Sequence, residues 1–182
     1  MMDDCLYLLE GSNSGIGWAT AKALASLSCH VILACRNASK AQTALQSIKA
    51  ENPNASVEVM TLDLASLQSA RDFAQSWSDR QPNESTGGTG HGKKIDLLIC
   101  NGGATFVDLQ KTDDGFENTY QTNYLNHFLV IRSLMPFLRL AEAPRVVFVS
   151  SNAASWGKVE LDNLNCETIP ESSWKGMARF KT

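Results

Sequence analysis

The chain has 182 residues, 43% of them apolar, which fits one domain of ordinary size with a sizeable core. Its 16 basic and 19 acidic residues give a net charge of −3 without long runs of one sign, which excludes the basic surface that nucleic acids or anionic membranes attract. No run approaches the roughly 20 apolar residues of a membrane span, and the N-terminus is acidic where a signal peptide is basic. We therefore expect a soluble, cytoplasmic protein.

The five cysteines are an odd number and form no CxxC pair, and three of them lie in apolar runs typical of buried strands. We expect buried free thiols in a reducing compartment. No His, Cys and Asp cluster has the spacing of metal ligands, so we expect no metal site. The cysteines are Cys5, Cys29, Cys35, Cys100 and Cys166.

Short apolar runs of strand type alternate with segments of helical periodicity along the whole chain. Because the runs are continuously apolar, they indicate strands that are covered on both faces, as in a parallel sheet between helices. The fold class is therefore α/β, a doubly wound parallel sheet of the Rossmann type with three αβα layers. Residues 78–94 are polar and rich in Gly, and we expect them to form a flexible loop. The runs cover residues 5–9, 30–35, 56–62, 95–100 and 145–150.

The first strand leads directly into a glycine-rich turn that opens a helix. Gly11, Gly15 and Gly17 lack Cβ atoms, so the backbone can approach a diphosphate closely while the helix N-terminus supplies free N–H donors. A tight turn alone could also need these glycines, but a first βα unit is where such sheets bind nucleotides. The predicted cradle consists of Gly11, Ser12, Asn13, Ser14, Gly15, Ile16 and Gly17.

The spacing G-x-x-x-G-x-G resembles that of the short-chain dehydrogenase/reductase family, which implies one NAD(P)-binding Rossmann domain over residues 1–182. After the second strand, Cys35 stands where NAD-preferring enzymes carry an acidic residue for the ribose 2′-hydroxyl, and Arg36 follows it. A guanidinium without a neighbouring carboxylate can pair with a 2′-phosphate, so we expect NADP rather than NAD. The alternative is that Arg36 is a solvated surface residue.

The third and fourth strands end in further family motifs. Asp63 and Leu64 match the pair that contacts the adenine, although Asp63 could instead cap the helix that starts near Ser66. In "CNGG", Asn101 and Gly103 match the family's N-N-A-G, which implies cofactor contacts.

Three positions in these motifs depart from the family pattern. Cys100 and Gly102 replace the first Asn and the Ala of N-N-A-G, and Gly102 keeps the small size that the chain needs to pass under the nicotinamide ribose. Glu10 replaces the usual Thr before Gly11, and we expect its negative charge to weaken anion binding at the cradle.

The predicted long helix that contains "TNYLNHF" carries Asn123, which matches the active-site Asn of the family. Its spacing from Phe116, Tyr120 and His127 places Asn123 on the buried face, where an unpaired amide would cost about 1–3 kcal/mol. We therefore expect a specific polar partner for this amide. A purely structural hydrogen bond to a neighbouring strand would satisfy it equally well.

The fifth strand runs into "VFVSSNAASWGKVELDNLN", in which Ser151 matches the catalytic Ser of the family. By this resemblance its hydroxyl would hydrogen-bond the substrate carbonyl, and a Tyr further along would act as the general acid. The segment "WGKVELDNL" is similar to the subgroup of retinol dehydrogenases and related carbonyl reductases.

The expected Tyr-x-x-x-Lys pair does not occur in the sequence. Phe180 stands at the Tyr position, and the matching Lys would fall beyond Thr182. Since Phe has no proton to donate, and general acid catalysis contributes about 10²- to 10⁴-fold, we expect impaired catalysis. The resemblance also implies further strands after the fifth, so we expect a C-terminally truncated chain whose sheet is incomplete and whose exposed edge at 145–150 favours homo-oligomers.

The sequence thus predicts an NADP-dependent oxidoreductase that transfers hydride between nicotinamide and a small carbonyl or alcohol substrate. A catalytically dead nucleotide-binding protein and a truncated relic without function remain as alternatives.

Overall fold

Five strands form one parallel sheet in which the predicted runs are recognisable almost residue for residue. The computed structural model describes residues 5–80, 94–104, 110–152 and 161–167. The strands are β1 Leu6–Glu10, β2 His30–Cys35, β3 Val57–Thr61, β4 Leu97–Cys100 and β5 Arg145–Phe148. Their spatial order is β3-β2-β1-β4-β5, and each neighbouring pair is parallel.

Helices connect the strands, as the helical periodicity predicts. A π-helical segment, Gln121–Leu125, joins two α-helices into one continuous rod, and a short 3₁₀ turn covers Leu161–Asn163. Asn37 and Ser66 cap the second and third helices by accepting backbone N–H groups three residues on. The helices are α1 Gly15–Ala25, α2 Ala38–Glu51, α3 Leu67–Ser78, α4 Asn118–Tyr120 and α5 Asn126–Leu138.

The sheet has a hydrophobic core on each face, which makes the fold a three-layer αβα sandwich. One core packs α1 and α2 against odd-numbered residues of β1 and β2 such as Leu9, Val31 and Leu33. The other packs α3 and α5 against the even-numbered residues and contains the fully buried Trp77. Continuous apolar strands are required because both faces are covered. The predicted doubly wound class is confirmed.

The chain leaves β1 in one direction toward β2 and β3, and later returns to the other side of β1 to form β4 and β5. The strand order therefore reverses between β1 and β4. In open α/β sheets the crevice outside the carboxyl ends of the strands at such a reversal is where ligands bind. The topology therefore predicts a ligand site at the segments that follow β1, β2 and β4.

The strand β5 lies at the edge of the sheet in the described part of the chain. Val146, Val147 and Phe148 are 37%, 43% and 55% exposed, respectively. The expectation of an exposed apolar edge is thus confirmed for the described residues, while the expected oligomerisation stays a prediction. Most of the predicted loop 78–94 lies outside the described residues, and among those described no helix combines the length and apolarity needed to span a membrane.

All five cysteines are free thiols, and four of them are buried, while Cys5 is half-buried. Burial raises the pKa of the Cys35 thiol, against hydrogen bonds from the segment that follows β1, and so keeps it neutral. This agrees with the thiols expected from the sequence.

A charged cluster lies at the outer strand β3. Arg80 donates two hydrogen bonds to the Glu58 carboxylate, at 2.6 and 2.8 Å, and His30 Nε2 lies 3.5 Å from the same group. The hydrogen bond with His30, followed by the bonds and charge of Arg80, lowers the pKa of Glu58 to about 2 against the opposing effect of burial. The carboxylate is therefore favoured in the folded protein.

We expect this cluster to contribute to stability in a pH-dependent way. Because the folded pKa of Glu58 lies below its ordinary value of 4.5, the stabilisation is complete above that value and is lost as the pH falls through about 2. Glu58→Gln should lower the free energy of unfolding by roughly 1 kcal/mol at neutral pH, since the pair is partly exposed. In urea titrations the difference from the parent chain should shrink as the pH falls.

Glu51→Gln is the matched control, because it removes the more exposed pair between Glu51 and Lys22. Its effect should be smaller at every pH. A difference for Glu58→Gln that stays constant between neutral pH and pH 2 would contradict the assigned role.

Candidate functional site

The turn between β1 and α1 adopts a backbone path that requires glycine. Gly11 and Gly15 have φ angles of +61° and +54°, in the left-handed region that other residues rarely adopt. At Gly17 a Cβ atom would lie 2.2 Å from the carbonyl oxygen of Gly11. The N-cap residue Ser14 makes no side-chain capping bond, so the first N–H groups of α1 are left for an anion.

The segment that follows β4 lies directly against this turn. A Cβ atom on Gly11 would lie 2.8 Å from the Cα of Gly102, and one on Gly102 would lie 2.5 Å from Leu64 Cδ1. The Asn101 side chain donates hydrogen bonds to the carbonyl oxygens of Glu10 and Gly11, at 3.1 and 3.2 Å. The Asn101 side chain therefore links the segment after β4 to the turn after β1.

A cleft of about 310 Å³ opens at the carboxyl ends of the strands. Six of the predicted cofactor-binding residues border it, namely Gly11, Asn13, Arg36, Asp63, Leu64 and Gly103. The other six, Ser12, Ser14, Gly15, Ile16, Gly17 and Asn101, do not border this cleft. The cleft thus gathers the ends of β1, β2, β3 and β4 at the crevice that the topology indicates.

Lys40 and Asn37 also border the cleft, although neither was predicted from the sequence. Asn37 is the N-cap of α2 and accepts a hydrogen bond from the Lys40 backbone N–H at 2.9 Å. Lys40 follows Arg36 by four residues at the start of a capped helix. This spacing, which brings the two cations near one another, is the sequence feature that could have predicted Lys40 at the cleft. Two cations therefore border one end of the cleft.

Ser12 has a different environment from the one expected of a cradle residue. Its side chain is fully buried, and Oγ lies 3.2 Å from the Cys35 sulfur. The hydroxyl thus links the turn after β1 to the end of β2. Any contact of Ser12 with a cofactor would have to come from its backbone.

Asp63 does not cap the following helix, so that alternative was wrong. Its carboxylate accepts a hydrogen bond from the Ala65 N–H at 2.9 Å, which shapes the turn after β3. Ser66 is the N-cap of α3 and accepts from the Ser69 N–H at 3.1 Å. The turn holds Leu64 beneath Gly102, where the missing Cβ of the glycine makes room for it.

Asn123 lies in the π-helical segment and is buried, and its amide has the specific polar partner that the sequence predicts. Its Oδ1 accepts from the Ala104 N–H and its Nδ2 donates to the Ala104 carbonyl, both at 2.8 Å. The partner is the backbone just beyond β4, so the amide has at least a structural role. Single π turns within helices are frequent at functional sites.

The other two predicted catalytic residues are Ser151 and Phe180. Ser151 is half-buried, three residues beyond the end of β5. Phe180 lies outside the described residues. The catalytic roles of Asn123, Ser151 and Phe180 therefore stay predictions.

The structure changes what the sequence predicts for Glu10. Its side chain is fully buried, and Oε2 lies 2.6 Å from Nδ1 of His127, so its charge is directed into the fold and has a partner there. Burial disfavours the charged imidazole, but the hydrogen bond and charge of Glu10 outweigh this and leave the pKa of His127 raised. Glu10 thus does not present an open negative charge to the cradle.

Comparison with known proteins places these features in a wider context. The profile of the short chain dehydrogenase family matches residues 7–162. The WW domain-containing oxidoreductase of Danio rerio is 39% identical over 171 residues, which cover 90% of this chain and 39% of that protein. Retinol dehydrogenase 14 of Mus musculus is 34% identical over 177 residues, which cover 92% of this chain and 50% of that protein.

The polyprenol dehydrogenase of Homo sapiens is 39% identical over 167 residues, which cover 88% of this chain and 47% of that protein. The chain therefore spans between about a third and a half of the length of the curated relatives that it matches.

Solved structures share the fold. A crystal structure of an uncharacterized protein from Mycobacterium paratuberculosis superimposes with a TM-score of 0.81 at 33% identity, over 99% of this chain and 58% of that one. A short chain dehydrogenase from Escherichia coli CFT073, solved with NADPH, gives a TM-score of 0.67 at 23% identity, over 87% of this chain and 63% of that one.

We expect the close contact at Gly17 to be essential for the turn. Gly17→Ala should lower the free energy of unfolding by about 1–3 kcal/mol, because the new methyl group overlaps the Gly11 carbonyl oxygen. Gly15→Ala is the control, since nothing lies within 4 Å of its Cβ position and only its left-handed φ is strained. Thermal or urea unfolding should therefore show the larger loss for Gly17→Ala, and an equal or smaller loss would contradict this packing.

Proposed function

The chain belongs to the short-chain dehydrogenase family, and we propose that its cleft binds NADP(H) for hydride transfer between the nicotinamide and a carbonyl or alcohol substrate. The observation that carries the proposal is the juxtaposition, around one cleft, of the start of the glycine turn at Gly11 and Asn13 and two cations beside a neutral strand end.

The residues of the turn fit a diphosphate. Gly11, Gly15 and Gly17 keep side chains away from the backbone N–H groups at the start of α1, and no side chain caps those groups. The partial positive charge of a helix N-terminus favours an anion there. Because Glu10 is paired with His127, its carboxylate opposes such an anion less than the sequence suggested.

The end of β2 supports a preference for NADP. The residue at the position of the ribose-binding acid is Cys35, a buried thiol whose pKa is raised by burial and which therefore carries no negative charge. Arg36 and Lys40 are exposed beside it on the border of the cleft. A 2′-phosphate could form ion-paired hydrogen bonds with both cations, whereas a 2′-hydroxyl is neutral and could form no ion pair with either. Solved members of the fold bound to NADPH or NADP are consistent with this choice.

When bound, the nicotinamide supplies or accepts the hydride. The chain would contribute Asn123, which holds the backbone at Ala104 on the border of the cleft, and Ser151, whose hydroxyl can donate to a substrate carbonyl. The relatives are named for retinol and polyprenol, and we extend to this chain only the class of alcohol or carbonyl compound.

A second candidate is a nucleotide-binding protein without catalytic activity. It is favoured by Phe180, which the resemblance places at the position of the family's general acid and which has no proton to donate. Because the chain spans at most about half of the length of these relatives, hydride transfer is proposed for the family type, and impaired turnover is expected of residues 1–182 alone.

The cofactor preference can be tested by titrating residues 1–182 with NADPH and NADH while following fluorescence. NADPH should bind more tightly, and Arg36→Ala should weaken NADPH binding by about 10- to 100-fold while leaving NADH nearly unchanged, because only the 2′-phosphate pairs with the guanidinium.

Arg71→Ala is the matched control, since Arg71 is exposed on α3 and does not border the cleft. It should leave both affinities unchanged. Equal binding of NADPH and NADH by the parent chain, or no binding of either, would refute the proposed NADP site.

Catalysis is tested separately with Phe180→Tyr in the same chain. We expect no turnover of a panel of aldehydes and ketones, measured by NADPH absorbance, because the Lys that lowers the pKa of the family Tyr is missing. Measurable turnover by this variant that the parent chain lacks would contradict the requirement for a Lys four residues after the Tyr.

A further inference from the structure

Three side chains that can ligate metal meet beneath the cleft. Glu10 ends β1, Cys100 ends β4 and His127 lies on α5, and their ligand atoms all lie within 4.8 Å of one another. All three residues are buried. The sequence alone predicted no such cluster, because its members lie far apart along the chain and are brought together only by the parallel sheet and its covering helix.

The hydrogen bonds of His127 leave one ring nitrogen directed at the carboxylate. Nε2 lies 2.9 Å from the carbonyl oxygen of Gly102, which can only accept, so Nε2 carries a hydrogen. In the neutral ring Nδ1 is then an acceptor, and it lies 2.6 Å from Oε2 of Glu10, which is also an acceptor. Two acceptors at this distance require a positive species between them, either a proton or a metal ion.

The other groups at this point distinguish a metal ion from a proton. A proton shared by Nδ1 and Oε2 leaves Oε1 of Glu10 buried without a hydrogen-bond partner in the described residues, and it makes no use of the Cys100 sulfur. A buried, unpartnered carboxylate oxygen is costly. A divalent ion would engage the carboxylate, the imidazole and the sulfur together.

We propose that Glu10, Cys100 and His127 form a three-ligand site for a divalent transition metal ion of the zinc type. Carboxylate, thiolate and imidazole are all zinc ligands, and a ligating His usually donates its other N–H to a carbonyl, as His127 does to Gly102. One carboxylate and one thiolate neutralise a 2+ ion, so the buried assembly carries no net charge.

The geometry needs only a small adjustment. Ligand atoms at about 2.0–2.3 Å from a tetrahedral zinc ion lie roughly 3.3–3.7 Å apart. The distance of 2.6 Å between Nδ1 and Oε2 must therefore open by roughly 1 Å, while any separation near the 4.8 Å limit of the cluster must close by about the same amount. Glu10 and Gly102 also border the cleft, so the cluster lies directly behind its lining.

Two of the three ligands are positions at which this chain departs from the family pattern. By the resemblance, Glu10 stands where the family carries Thr and Cys100 where it carries Asn, and the ligand atoms of both lie within 4.8 Å of that of His127. Either residue alone would give His127 only one further ligand group beside it, whereas Glu10 and Cys100 together with His127 complete a set of three metal ligands. The proposed ion would link β1, β4 and α5, and its binding does not depend on nucleotide binding.

Titration of residues 1–182 with Co²⁺, at mildly alkaline pH so that protons compete less, tests the site through the thiolate-to-metal charge-transfer absorption. We expect the band to saturate at one equivalent, to be displaced by Zn²⁺, and to disappear in Cys100→Ser. Cys29→Ser should keep it, because the Cys29 thiol interacts with Tyr7 and Cys5 instead of the cluster.

Glu10→Gln and His127→Gln provide a second measurement that keeps every thiol. Each should weaken Co²⁺ binding by at least about tenfold, as expected for loss of a ligand, while circular dichroism confirms folding. The proposal is overturned if the parent chain gives no charge-transfer band. It is also overturned if the band survives in Cys100→Ser, if it is lost in Cys29→Ser, or if the two Gln variants bind Co²⁺ as the parent does.

Discussion

The structure depends on how closely the turn after β1 approaches the segment after β4. Gly11 and Gly102 touch through their backbones, Leu64 fills the space that a Cβ on Gly102 would need, and the Asn101 amide bonds the carbonyl groups of the turn. Side chains on either glycine would push the two strand ends apart. Since β1 and β4 are the strands between which the sheet order reverses, this contact defines the floor of the cleft.

The remaining features are arranged around that floor. The capped start of α2 brings two cations to one side of the cleft, while Asn123, held in a π turn, fixes the backbone at Ala104 on another. Beneath it, the buried group of Glu10, Cys100 and His127 joins β1 and β4 to α5. The surface between the ends of β1 and β4 is thus built from backbone and small residues, and it is supported by polar side chains that face the interior.

Much of the fold could be predicted from the sequence because strand runs and helical periodicity are local properties. The glycine turn was equally predictable, since the left-handed φ of Gly11 and the contact of Gly17 with the Gly11 carbonyl oxygen arise within one βα unit, whereas the contact of Gly11 with Gly102 does not. The environments of Ser12 and Glu10 were not, because periodicity tells which face a residue occupies but not which distant residue it meets there. Cys35 and His127, their partners, lie on other elements and were placed beside them only by the parallel register and the packing of α5.

Amide hydrogen exchange of residues 1–182, with and without NADPH, would test most directly whether the cleft is a dinucleotide site built on this floor. Binding should slow exchange together in three separate segments, the turn 11–17, the start of α2 at 36–40 and the segment 101–104, and leave the distant turn 52–55 unchanged. Protection that misses the turn 11–17 and the segment 36–40, or no protection at saturating NADPH, would contradict the assignment.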